Sequence, residues 1–259
     1  MPAIDRYDGF LIDLDGVVWV GRDPVPGSPE ALATMLAAGK EIVFVTNNPS
    51  NPPAAYAERL RGLGVEVGPE RVVTAGIVVA RLAARAAGPG GSALVLGREA
   101  LRELVAAAGL RLIDFERPTE ADVVVVSGWR DFAYAHLLAA KRALDAGAAL
   151  LATSHDPTMP MPGGEWPGTG SILAAVEVAS GKQAEIAGKP EHHLFELALS
   201  RIPEAKRVAM VGDRLSSDIA GGHAARLDTI LVLSGTSEDA ETAAVQPDLT
   251  VANLAALVA

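Results

Sequence analysis

The sequence predicts an α/β protein: a Rossmann-like three-layer core built on a parallel sheet, with a second α/β domain inserted into it. Apolar runs of strand length, such as Phe10-Leu11-Ile12 and Ile42-Val43-Phe44-Val45, are continuous rather than alternating, as in strands covered on both faces. Each run ends in polar residues and gives way to a helical pattern, the order that builds βαβ units. After the breaker Gly88-Pro89-Gly90-Gly91 the pattern restarts, completes a block of its own, and only then does the first pattern resume. Composition agrees, since 49% of the 259 residues are apolar but only 4% aromatic, which suits helices packed on sheets better than a β-sandwich.

The opening strand runs from Phe10 into Asp13-Leu14-Asp15-Gly16. Strand alternation sends Asp13 and Asp15 to the same side, about two 3.3 Å rises apart, and Gly16 lets the backbone turn there. A loop at 22–27 precedes Ser28-Pro29-Glu30, which has the form of an N-cap, a first-turn proline and a dipole-favoured acid. That helix should run to Ala38, with Gly39 as its C′ residue. A second buried strand at 41–45 ends in Thr46-Asn47-Asn48, and Asn51-Pro52 opens a helix to about Leu63. Residues 69–76 lead into a helix over 77–87. The inserted block reads strand 93–96, helix 99–108, short strand 110–113, strand 123–126, helix 133–146 and strand 148–152, a βαββαβ unit able to bury its own core. A long loop, 153–170, precedes a helix at 171–179. The chain then gives 184–187, Gly188-Lys189-Pro190, a helix to about 199, a strand at 207–211, Gly212-Asp213, a helix through 225 and a strand at 229–233. The expected division is core 1–79, inserted domain 80–183, core 184–259.

A net charge of −10 argues against nucleic-acid binding, which needs a basic footprint. The absence of cysteine removes disulfides, thiolate chemistry and Cys-ligated zinc. No stretch reaches the roughly 18 apolar residues of a membrane span, and the N-terminus has no basic segment followed by an apolar one. A cytoplasmic protein without membrane partners is expected.

Three strand ends deliver polar groups: Asp13/Asp15, Thr46/Asn47/Asn48 and Gly212-Asp213. Carboxylates converging on one crevice repel one another unless a cation sits among them. Mg²⁺ is the natural candidate, because it takes oxygen ligands and no Cys cluster or spaced His pair offers an alternative. His192 and His193, adjacent on a predicted helix, are expected to point apart. A cation combined with a hydroxyl, amide donors and a lysine is what a phosphoryl group needs. The residues alone therefore point to phosphoryl transfer.

Asp13-Leu14-Asp15-Gly16-Val17, Thr46-Asn47-Asn48, Lys189 and Gly212-Asp213 with Asp218 resemble, in this order, the four motifs of the haloacid dehalogenase-like phosphatase superfamily. The insertion, with Trp19, Ala152-Thr153, Asp156-Pro157 and Pro167-Gly168-Thr169-Gly170-Ser171, is similar to the branch of p-nitrophenyl phosphatase, phosphoglycolate phosphatase, pyridoxal phosphatase and the N-acetylglucosamine-operon phosphatase, which carries a large α/β cap. The resemblance implies that Asp13 is the nucleophile, forming an aspartyl-phosphate, and that Asp15 is general acid and then general base. It implies that the Asp13 and Asp213 carboxylates and the Asp15 carbonyl hold Mg²⁺. Thr46, Asn47 through its backbone N–H, Asn48 and Lys189 would serve the phosphoryl group, with Asp218 in support. The cap would close over the site and read the leaving group, with Ser154, His155 and Met159 as substrate-loop candidates; the branch usually shows Asn or Asp where Ser154 stands.

The implied activity is Mg-dependent hydrolysis of a small phosphorylated metabolite of the sugar phosphate, glycerol phosphate, phosphoglycolate or nucleotide class, with a possible homodimer through the cap. Two other readings stand beside it: a non-hydrolytic Mg-dependent phospho-acceptor module and a phosphomutase. Against the module stand Asp15, a proton shuttle two residues from the nucleophile, and a whole inserted domain that signalling does not need.

Overall fold

The structure, a computed structural model, describes residues 2–161, 164–235 and 245–259. The chain begins with β1 (Gly9–Asp13), a two-rung ribbon of β2 (Trp19–Val20) and β3 (Asp23–Pro24), α1 (Ser28–Ala37), β4 (Glu41–Thr46), α2 (Pro53–Gly62), β5 (Val72–Thr74) and α3 (Ala75–Ala87). The inserted part comprises β6 (Ser92–Leu96), α4 (Glu99–Ala107), β7 (Arg111–Leu112), β8 (Val123–Val126), α5 (Tyr134–Asp145), β9 (Ala149–Ala152), a hairpin of β10 (Thr158–Met161) and β11 (Gly164–Pro167), α6 (Thr169–Ser180) and β12 (Glu185–Ile186). The chain closes with α7 (His192–Leu199), β13 (Val208–Gly212), a π turn (Leu215–Ile219), α8 (Ala220–Ala224), β14 (Asp228–Val232), β15 (Leu249–Val251) and α9 (Ala255–Val258).

The main sheet is parallel throughout, in the order β15-β14-β13-β1-β4-β5. Successive residues of β1 go to opposite faces, which explains why its apolar run is continuous. Leu11 packs with Val43, Val45 and Val73 beneath residues of α3 and α7, while Phe10 and Ile12 pack with Phe44 against Leu32, Met35, Leu60 and Leu257. Each fully buried chain of this size contributes about 1.5–3 kcal/mol of hydrophobic stabilisation. The chain extends to one side of β1 through β4 and β5, and to the other through β13 to β15. Strand order therefore reverses beside β1, opening a crevice at the strand C-ends.

The second sheet is also parallel, in the order β12-β9-β8-β6-β7. One face packs on α5 and α6 through Leu94, Leu96, Val124, Val126 and Leu173. The other joins the main core, because Val95, Val125 and Leu151 lie in the same apolar cluster as Leu11, Val45 and the α3 residues Val78, Val79, Leu82 and Ala83. The expectation that each part buries its own core is thus corrected: α3 carries an apolar face wide enough for both sheets.

The expected cut at 79/80 falls inside α3, and the cut at 183/184 falls before β12, which pairs with β9 and not with the main sheet. Ser28 is not a helix cap: Gly27 occupies that position, and the buried Ser28 hydroxyl donates to the Val17 carbonyl at 2.9 Å. Two main-sheet strands, β5 and β15, each span three residues, too few for a periodicity to form. The expected loop at 153–170 holds the β10–β11 hairpin. Among the described residues, no helix is long and apolar enough to cross a membrane.

Candidate active site

Residues from the three strand ends approach one another in the crevice: Asp13 clusters with Asp213, Asn48 bonds to Asp15, and Asn47 bonds to Lys189, whose ammonium reaches Asp13. β1 delivers Asp13 from one side of the reversal, and β13 ends at Gly212 immediately before Asp213 on the other. The π turn that follows brings Asp218 back toward the strand end, where its Oδ2 accepts from the Arg214 N–H at 3.1 Å. One oxygen each of Asp13, Asp213 and Asp218 lies within 4.8 Å of the others, and none of the three residues is more than 5% exposed. Asp218, expected only in support, belongs to this carboxylate cluster as fully as the other two.

Lys189 enters the same space, 3% exposed, and its Nζ donates to Asp13 Oδ1 and to Asp218 Oδ1, the latter at 2.6 Å. Burial alone would lower the lysine pKa, but the charges of Asp13 and Asp218 hold it above its ordinary value, so the ammonium persists. Burial pushes the Asp13 carboxyl well above the usual range; Lys189 opposes this, while Asp218, Asp213 and Asp15 add to it. One lysine cannot neutralise three buried carboxylates, and a further cation is what full ionisation requires. The donor set is all oxygen, which fits Mg²⁺.

Asp15 does not share that cluster. Its Oδ1 accepts from Trp19 Nε1 at 3.0 Å and its Oδ2 from Asn48 Nδ2 at 3.4 Å. Trp19 is fully buried, stacked on Tyr56 at 6.3 Å between centroids, with the Arg59 guanidinium 3.9 Å from its ring centroid. The two acids expected on one side of a strand therefore have different surroundings, because β1 stops at Asp13 and Gly16 turns the chain with φ +94°. A methyl group at Gly16 would overlap the Asp213 carboxylate. Gly16→Ala is expected to lower Mg²⁺ affinity at least about tenfold, through the left-handed φ and the displaced ligand together; isothermal titration checks it.

β4 brings up the second group. The Thr46 hydroxyl is buried and accepts from the Asn48 N–H at 3.0 Å. Asn48 spends its side chain on Asp15 and on the Ser50 N–H, and its carbonyl accepts from the Tyr56 hydroxyl. The Asn47 side chain binds both peptide groups of Lys189 and the Asp156 carboxylate. Trp19 and Asp156, which the sequence offers only as marks of likeness, hold Asp15 and Asn47. A tryptophan four residues after the second acid was the available signal for the first contact.

The loop candidates are dispersed. Ser154 is buried and accepts from the Asp156 N–H in a turn of its own, His155 is exposed, and Met159 is half-buried on β10 opposite Trp166. His192 and His193, expected to diverge, have ring centroids only 3.9 Å apart, with Glu196 within reach of both. They sit in the first turn of α7.

Family models match in two segments: a haloacid dehalogenase-like hydrolase model over residues 10–111 and a HAD-hydrolase-like model over 186–257. Human chronophin is 40% identical over 266 aligned positions, covering 95% of this chain and 89% of that protein. The crystal structure of a glycerol phosphate phosphatase from Mycobacterium tuberculosis, in complex with magnesium, superposes with a TM-score of 0.90 at 36% identity, over 100% of this chain and 78% of that one. A p-nitrophenyl phosphatase from Archaeoglobus fulgidus superposes with a TM-score of 0.89 at 33% identity, over 97% and 98%.

Proposed function

Because the chain belongs to the haloacid dehalogenase-like hydrolase family and is a phosphoric monoester hydrolase, we propose that it hydrolyses a small phosphorylated metabolite through an aspartyl-phosphate on Asp13, with Mg²⁺ held by Asp13, Asp213 and the Asp15 carbonyl. Bound there, Mg²⁺ supplies positive charge beside the phosphoryl oxygens. The observation that carries this reading is the separation of two kinds of carboxylate. Asp13 lies among buried acids against Lys189, whereas Asp15 is held aside by Trp19 and Asn48.

In this mechanism an Asp13 oxygen attacks phosphorus in line with the leaving alkoxide, to which Asp15 gives its proton. The Thr46 hydroxyl, the Asn47 backbone N–H and the Lys189 ammonium share the charge of the transferring group. Asp15, now ionised, takes a proton from water, which attacks the phosphoaspartate and releases phosphate. Trp19 keeps the Asp15 carboxyl aimed along this path while Asn48 fixes its other oxygen. Asp218 keeps Lys189 in place.

Glycerol phosphate is the first candidate substrate, on the strength of similarity to the glycerol phosphate phosphatase over 100% of this chain and 78% of that one; sugar phosphates, phosphoglycolate and nucleotides follow. Purified protein is expected to release inorganic phosphate from p-nitrophenyl phosphate and from glycerol 3-phosphate in the presence of Mg²⁺, and to lose this in EDTA. A stable phosphoprotein without turnover would instead identify a phospho-acceptor module, and phosphoryl movement within the substrate without free phosphate a mutase.

A further inference from the structure

The chain segment that bears Lys189 belongs to neither sheet. β12 is the last strand of the smaller sheet, Ala187 N–H still donates to the Ala152 carbonyl there, and Lys189 follows two residues later. Left to itself, the lysine would follow any movement of the inserted domain. Its ammonium is held by Asp13 and Asp218, and its backbone is held by the side chain of Asn47, the residue after β4. Asn47 Oδ1 accepts from the Lys189 N–H at 2.8 Å, and Asn47 Nδ2 donates to the Lys189 carbonyl at 3.0 Å, so the amide grips the residue through both of its backbone groups. The second Nδ2 hydrogen goes to Asp156 Oδ2 at 2.9 Å, in the loop that leads to the β10–β11 hairpin. Three of the amide's bonding positions are thereby filled, two by Lys189 and one by the substrate loop. Gly188 makes the grip possible, since a side chain there would overlap Asn47 Oδ1 and the Thr153 carbonyl.

We infer that the Asn47 side chain is a positioning residue with two duties: it fixes the Lys189 backbone to the end of β4, and it docks the substrate loop through Asp156. This rests on the reading of Lys189 as the cation that holds the phosphoryl group. The bond to Asp156 exists only with the loop in place, while the two bonds to Lys189 do not involve it. The two functions of the amide are therefore separable: loop docking governs how well the ester is held, and the grip on Lys189 governs phosphoryl binding and turnover.

The test compares Asn47→Ala, Asp156→Ala and the double variant, with circular dichroism to confirm folding. Readouts are kcat and KM on p-nitrophenyl phosphate and glycerol 3-phosphate, and Ki for inorganic phosphate. Asn47→Ala is expected to lower kcat and raise the phosphate Ki by about ten- to a hundredfold each, the cost of two peptide hydrogen bonds to a buried charged residue. Asp156→Ala is expected to raise KM about three- to tenfold, one hydrogen bond's worth, with the phosphate Ki within about twofold of wild type. The double variant should show no higher KM than Asn47→Ala, because the loop contact is already gone. Where Asn47→Ala does not fold, the isosteric Asn47→Asp serves; pairing it with Asp156→Asn restores a donor and acceptor across the loop contact and should recover KM but not kcat. The inference is overturned if the Asn47 variants keep kcat and phosphate Ki while Lys189→Met is inactive, or if the KM effects multiply in the double variant. Activity surviving in Lys189→Met would overturn the underlying reading instead.

Discussion

Asp13→Asn is expected to lower kcat by at least about 10⁴-fold with the fold intact, the scale of loss when a nucleophile is removed from a concerted site. The amide has the volume of the carboxylate and can still accept from Lys189, so the core around β1 is undisturbed. What it lacks is an anionic oxygen to form the phosphoaspartate. It also removes one of three buried like charges, and thermal unfolding in EDTA should show a variant at least as stable as wild type. The same comparison in Mg²⁺ should favour wild type, since the ion gains more from three carboxylates than from two. Near-normal turnover in Asp13→Asn, measured by phosphate release, would sink the assignment of the nucleophile.

Lys189→Met is the second large effect and has the opposite signature in stability. The side chain is almost fully buried and contacts both Asp13 and Asp218. Removing one partner of such a pair leaves uncompensated charge in a dry site, a loss of about 3–5 kcal/mol, and turnover should fall about 10³-fold as the phosphoryl group loses a cation. The pH dependence follows from the directions of the shifts. Lys189 is raised, so its contribution is fully present below the unfolded lysine value, near 10.4, and is lost only as pH climbs through the higher folded value. Asp13 is also raised, and its protonated form is the one the folded state favours, so stability tied to it declines as pH rises from about 4 through the folded value. Without the lysine that decline continues to higher pH. The gap in Tm between wild type and Lys189→Met should widen from pH 5 to pH 8, and saturating Mg²⁺ should recover more stability in the variant than in wild type. A gap independent of both pH and Mg²⁺ would mean that the lysine does not neutralise these acids.

Much of this arrangement was legible in the sequence, because continuous apolar runs ending in Asp13, Thr46 and Gly212-Asp213 can be placed without knowing what covers them. The inserted parallel sheet was legible for the same reason. What escaped was whatever depended on a partner distant in the chain. Val72-Val73-Thr74 becomes a strand only because β4 offers it an edge, and Ser28 reads as a cap until Val17 takes its hydroxyl. The hairpin at 158–167 is dense in proline, which removes ladder donors and disguises strands as loop. Asp15 and Asp13 look equivalent by alternation, and their surroundings tell them apart: Trp19 and Asn48 hold the first, Lys189 the second. The pairing of Asn47 with Asp156 spans 109 positions, a distance over which neither residue announces the other.

The apolar face of α3 that serves both sheets sets a limit on what can be transplanted between members of this architecture. Exchanging 80–183 as a block would cut α3 midway and leave Glu185 and Ile186 to zip onto a foreign neighbour, with Lys189 three residues downstream of the mismatch. The β10–β11 hairpin and its flanks are held by contacts that include Arg214 to the Thr158 carbonyl, the Arg130 guanidinium over the Trp166 ring, Ser171 to the Pro157 carbonyl and the bond from Asn47 to Asp156. Unlike that block, the hairpin can be exchanged without cutting α3 or unpairing β12.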